Sequence, residues 1–119
     1  MAVTKEEHIR KIGENTIFLD SIDNAVVGAL GWSITVLFYN ALHYVEAYFV
    51  TRGHGFNNHF SRASAIQNDP VIRSLYADYR DLENLSREAR YDVSYFNAGD
   101  MRHATSSFEL IEESIKALI

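Results

Sequence analysis

The run AVVGALGWSITVLFYNALHYVEAYFV, residues 25–50, constrains this chain more than any other feature. Its Val26, Leu30, Val36, Leu37, Phe38, Ala41, Val45 and Phe49 cover most of a helical circumference. A helix that is apolar nearly all round must be covered on several sides. The stretch from Ala25 to Tyr39 is too short to span a bilayer, and extending it brings in Asn40, His43 and Glu46. The reading is therefore a buried core helix and no membrane partner. Polar groups on such a helix cost free energy unless they are paired. Tyr39, His43 and Glu46 at helical spacing, followed by a turn with Arg52, His54, His59 and Arg62, imply a polar network or a site.

Four further helices can be read around this one, and no strand. The first spans about Lys5 to Ile22, with Thr4 and Glu7 as a capping box and Ile9, Ile12, Thr16 and Leu19 as its stripe. The core helix runs from about Asn24 to Thr51 and stops at Gly53 and Gly55. A short helix follows from about Asn58 to Gln67. Asp69-Pro70 marks a restart, with Asp as N-cap, leading to a helix that ends near Ala89. Its seam is Ile72, Leu75, Tyr79, Leu82 and Leu85. Residues Tyr91 to Gly99 form a loop, in which Tyr91-Asp92 can act as an anchor. Asp100 caps a last helix carrying Phe108, Ile111, Ile115 and Leu118. The pattern predicts a single all-α domain, an antiparallel four-helix bundle with one short extra helix. So apolar a central helix also suggests a homodimer, with Tyr44 or Tyr48 as exposed aromatics for its interface.

Composition narrows the chemistry. The 119 residues include no cysteine, which removes disulfides, thiol catalysis and thiolate metal sites and is compatible with a cytoplasmic setting. The N-terminus lacks the apolar core of a secretory signal. A net charge of −5 counts against a nonspecific polyanion coat. Yet residues 47–68 hold no Asp or Glu while carrying Arg52, His54, His59 and Arg62. An anion, if one binds, is expected there. No phosphate-binding loop, dinucleotide fingerprint or nucleophile elbow occurs.

Two groups of residues carry possible chemistry. His43 and Glu46 share a helix face, where the carboxylate can orient the imidazole, with Tyr39 one turn earlier. The alternative is a satisfied polar network fixing helix register. A mononuclear metal site from His43, His59 and a carboxylate is conceivable, but the repeated carboxylates of a di-iron bundle are missing, so no metal or other cofactor is expected. Arg52 and His59 flank the Gly-containing turn. A guanidinium can hold a phosphate, and a His can move protons between a ribose 2′-hydroxyl and a leaving oxygen. His59 and Arg62 share one side of the short helix, and Arg87 and Arg90 share a face at the end of the fourth. If that end folds toward the turn, a cationic pocket results. The alternative is charge complementarity at helix ends, with Glu83 or Asp92 as partners.

The run from Gly31 to Val50, the Gly-His turn, His59-x-x-Arg62, the Pro-started helix and SREARYD at 86–92 together resemble small prokaryotic members of the HEPN superfamily, over roughly residues 30–95. That resemblance implies an all-α bundle that dimerises. It also implies either RNA or nucleotide binding or metal-independent endoribonuclease activity of the toxin, defence or RNA-processing type, with an antitoxin-like partner protein in some systems. The family signature is an Arg followed a few residues later by a His, which Arg52 and His59 satisfy. This chain departs from it in having Gly53 after the Arg and in placing the pair early. By resemblance, His59 would be acid or base, Arg52 and Arg62 would hold the phosphate, and His43, Glu46, Tyr39, His54, Arg87 and Arg90 would line the pocket. The competing class is a non-catalytic dimerisation or partner-binding module with structural histidines.

Overall fold

Thr4 starts the first helix. Its hydroxyl accepts from the Glu7 amide while the Glu7 carboxylate accepts from the Thr4 amide, both at 3.1 Å. This α1 spans Lys5–Ser21 in a computed structural model that describes residues 3–91 and 95–119. Its buried face differs from the expected stripe. His8 and Ile12 are buried, whereas Ile9 is 40% exposed. The face is rotated by about one residue, because His8 finds a polar partner inside.

The core helix α2 is Ala29–Val50. It starts five residues later than expected, at Gly28, whose φ of 86° is one that L side chains adopt only with strain. Its end is a Schellman-type closure. Gly53, at φ 80°, donates to the Val50 carbonyl at 3.1 Å, and His54 donates to the Phe49 carbonyl at 3.0 Å. α1, α4 and α5 all pack on α2, which explains its apolar circumference. Tyr44 and Tyr48 are 4% and 0% exposed, so neither is a surface aromatic. They are buried because α2 is covered on the sides they occupy, and their hydroxyls reach Glu112 and Asp69.

α3 is His59–Asn68, capped by Asn58, whose side chain accepts from the Ser61 amide at 2.8 Å. Asp69 closes α3 rather than opening the next helix. Its carboxylate accepts from the Val71 and Ile72 amides and from the Tyr48 hydroxyl, which pins a turn. A short 3-10 turn, Arg73–Leu75, then leads into α4, Tyr76–Tyr91. The last helix, α5, is Ala98–Lys116. Its N-cap is Asn97, and Asp100 completes the capping box from three residues in. Asp92, expected beside Tyr91 as an anchor, lies outside the described residues. The result is a four-helix bundle with one short extra helix, α3, lying against α4 and the 3-10 turn. Tyr48, Tyr79, Phe38, Ile34 and Ile111 are fully buried in one core. Each such side chain contributes about 1.5–3 kcal/mol. Among the described residues no helix is long and apolar enough to cross a membrane.

Candidate functional site

The cap at Asn58 fixes where α3 begins, and therefore which way its first turn points. His59 sits at that start, 44% exposed by its side chain, and Arg62 follows one turn later, buried. Arg62 Nε donates to Glu46 Oε1 on α2 at 2.7 Å, an ion pair almost closed to water. Arg62 Nη1 lies 3.2 Å from His59 Nδ1. A guanidinium carries only donors, so Nδ1 must accept. In this arrangement neutral His59 keeps its proton on Nε2, which becomes a donor. Behind the ring, buried Glu83 of α4 pairs with Arg80 through Oε1. Its Oε2 lies 3.7 Å from His59 Nδ1 and has no hydrogen-bond partner among the described residues.

Cations gather around His59. Burial lowers its pKa first, then Arg62, with Arg90 and Arg87 adding to the effect and Glu83 opposing it. Four guanidiniums, of Arg62, Arg80, Arg87 and Arg90, are set against the carboxylates of Glu46 and Glu83. Among the described residues, the charges that act on His59 itself are those of Arg62, Arg90 and Arg87 against the single carboxylate of Glu83. Arg90 donates to the Ser86 hydroxyl and lies 5.5 Å from the centre of the Tyr39 ring, within cation–π range. The ring of Phe38 backs His59 at 5.7 Å. The buried Tyr79 hydroxyl lies beside Arg62 but makes no well-aligned hydrogen bond among the described residues; burial raises its pKa and Arg62 opposes the rise.

On the other side of Arg62 the network continues to α1. His8 Nδ1 and His43 Nδ1 are 3.0 Å apart, with ring centres separated by 5.2 Å. The ring planes are tilted by 44°. At this separation one ring donates a hydrogen bond and the other accepts it. Among the described residues no group of three His, Cys, Asp or Glu side chains converges as a metal site. Burial, followed by His8, Lys11 and Arg62, pushes the His43 pKa down to about 4. His8, Glu46 and Arg62 form the polar wall of a groove of about 740 Å³, with Leu42, Val50 and Phe56 as its apolar side.

The expected residues thus divide. His59, Arg62, Arg87, Arg90, Tyr39 and Glu46 fall into one connected region. Glu46 does not orient His43, because it is spent on Arg62 while His43 turns to His8. Arg52 lies elsewhere: its guanidinium stacks 3.8 Å over the Tyr48 ring and donates to the Tyr48 carbonyl. No contact joins it to His59 among the described residues. His54 serves α2 through its backbone, and its residue lines the groove. Sequence reasoning passed over His8, although it lies four residues before buried Ile12. It treated Glu83 only as a surface partner, although Glu83 lies four residues after buried Tyr79. Compared with protein-family models, curated proteins and solved structures, the chain matches none.

Proposed function

We propose that this chain is a HEPN-like RNA-binding protein that holds a phosphodiester at His59, Arg87 and Arg90. The observation that carries the reading is the half-exposed His59 ring. Arg62 favours its Nε2–H form, and Arg62, Arg87 and Arg90 act on it together. An Nε2–H donor beside guanidiniums suits a phosphate oxygen. Tyr39, under Arg90, offers a ring face near the same place. The acidic total charge favours a local contact of a few nucleotides over a long electrostatic track. Arg52 has no part in this version of the site, and Arg62 acts by positioning His59 rather than by touching phosphate.

A second reading, metal-independent cleavage, draws on Glu83. For His59 to accept a proton at Nε2, Nδ1 must carry one, so the ring has to give up its bond from Arg62 and close the 3.7 Å gap to Glu83 Oε2. With that tautomer, Nε2 can take the proton of a ribose 2′-hydroxyl. The 2′-oxygen attacks phosphorus, the bond to the 5′-oxygen breaks, and that oxygen takes up the proton now on His59 Nε2, leaving a cyclic phosphate and a 5′-hydroxyl end. A homodimer, a partner protein of antitoxin type and residence in the cytoplasm complete the proposal.

The test is anisotropy of labelled single-stranded RNA in EDTA. Arg87→Gln with Arg90→Gln should weaken binding at least tenfold. The same change should lower the slope of log affinity against log salt by about 1.4, roughly 0.7 per lost contact. Unchanged affinity and slope would remove the phosphate site. Cleavage that persists in His59→Ala would remove the catalytic reading and leave binding intact.

A further inference from the structure

The groove between α1, α2 and the start of α3 has a buried floor of His8, Leu42, Glu46 and Arg62. Half-buried Val50 and Phe56 form its sides, and the 53–57 turn runs along its rim. At about 740 Å³ it falls within the range of small-molecule sites, roughly 300 to 1,000 Å³. Two polar atoms of the floor are left unpaired. Glu46 Oε1 takes the Arg62 Nε proton, but among the described residues Glu46 Oε2 accepts from nothing. His8 Nδ1 is engaged with His43, and His8 Nε2 has no partner among the described residues. Both residues are more than nine-tenths buried. Unlike the unpaired Glu83 Oε2, which is closed in on every side, these two atoms stay open to the groove. A carboxylate oxygen can only accept, so what enters the groove must bring a donor to satisfy it.

We propose that this groove binds a small neutral aromatic molecule carrying one N–H or O–H donor, of the indole or phenol class. Charge selects a neutral ligand. The Glu46 carboxylate and the Arg62 guanidinium cancel at the floor, so a charged ligand would be buried without a counter-ion. The walls select an aromatic body. Leu42 and Val50 offer apolar surface, and Phe56 already stands edge-on to Phe49 with ring centres 5.0 Å apart, so a further ring can extend the cluster. Glu46 Oε2 selects the donor. His8 Nε2 completes the contact, as donor or acceptor according to which ring of the His8–His43 pair carries the shared proton. His59, Arg87 and Arg90 do not line the groove, so the ligand stands or falls separately from the proposed RNA contact.

Amide NMR spectra of the nitrogen-labelled full chain, titrated with indole, test this. The Gly53 and Gly55 amides on the rim should shift and saturate, with a dissociation constant of about 1 mM, as a good fit gives a molecule of nine non-hydrogen atoms. The side-chain N–H of Trp32, exposed at the opposite end of α2, should stay in place. Benzothiophene, which matches indole in shape and lacks the N–H, should bind at least tenfold more weakly. Indoleacetate, the same ring with a carboxylate, should also bind more weakly. Val50→Phe, which fills the groove from its side, should abolish the indole shifts with unchanged far-ultraviolet circular dichroism. If Val50→Phe unfolds the chain, Gly55→Leu replaces it with the same expectation, because a Cβ at Gly55 meets no atom within 4 Å. Absence of a saturable shift up to about 10 mM overturns the proposal. So do shifts centred on Trp32, benzothiophene or indoleacetate binding as tightly as indole, or indole binding that survives the folded groove variant.

Discussion

At the scale of single residues, the Glu46–Arg62 pair is the most consequential contact. Both side chains are more than nine-tenths buried, so each charge depends on the other for compensation. Glu46→Ala strands a guanidinium and should cost about 3–5 kcal/mol. Glu46→Leu with Arg62→Leu should recover most of that, because an apolar pair needs no compensation. Urea unfolding of the three proteins checks this, and a double variant as weak as the single one contradicts it. The His8–His43 pair carries the pH dependence. Burial sets the folded His43 value near 4, below the ordinary 6.5. Between those values the unfolded chain binds the extra proton, so stability is full above about pH 6.5 and falls as pH drops toward 4. Burial lowers the His8 value as well, which adds loss in the same direction. Thermal midpoints between pH 7 and pH 4.5 should fall for the parent chain. His43→Leu should start lower at pH 7 and fall less; an equal fall in both proteins would mean that carboxylates dominate.

At the scale of elements, helix ends decided what could be read in advance. The Thr4–Glu7 box is local and legible, and the structure has it in full. Asp100 and Asn97 are both good capping residues, and sequence alone favoured the wrong one. What decides is that the Asn97 side chain accepts from the Asp100 amide while the Asp100 carboxylate accepts from the Asn97 amide, each at 2.9 Å. Asn97→Ala should cost about 1 kcal/mol, and Asn97→Asp about 0.3 kcal/mol or less, in denaturant titrations. Equal losses in the two would show that the cap is not the source. Asp69 misled for a tertiary reason. Pro70 suggested a helix start, but the Tyr48 hydroxyl from α2 claims the same carboxylate and holds it in a turn. The bundle was legible because apolar periodicity is a property of each helix. The site was legible only in part. Spacing placed His59, Arg62, Arg87 and Arg90 on the right faces, but which partner each finds depends on helix rotation. One residue of rotation in α1 exchanged Ile9 for His8 and so gave His43 an imidazole instead of Glu46.

For the whole molecule, charge and apolar surface are segregated, and salt separates their roles. Lys11 of α1, the buried pairs and Arg87 and Arg90 lie along a polar path that touches all four early helices. Phe18, Trp32 and Tyr95 form an exposed apolar surface at the end where α2 begins, without a basic side chain. RNA held by guanidiniums releases counterions, so its affinity must fall as salt rises. Two acidic copies meeting through an apolar face repel each other outside the contact. Raising ionic strength from 0.05 to about 0.5 M shortens the screening length to a few ångströms and removes that repulsion. The dimer should therefore tighten over the range in which RNA binding weakens by at least tenfold. Anisotropy and sedimentation on the same preparation measure both. A dimer that loosens with salt would place charged pairs at the interface and count against the apolar surface. RNA binding that is insensitive to salt would take the guanidiniums out of the contact. The two constants moving in opposite directions is the outcome expected if RNA sits on the guanidiniums and two copies meet through apolar side chains.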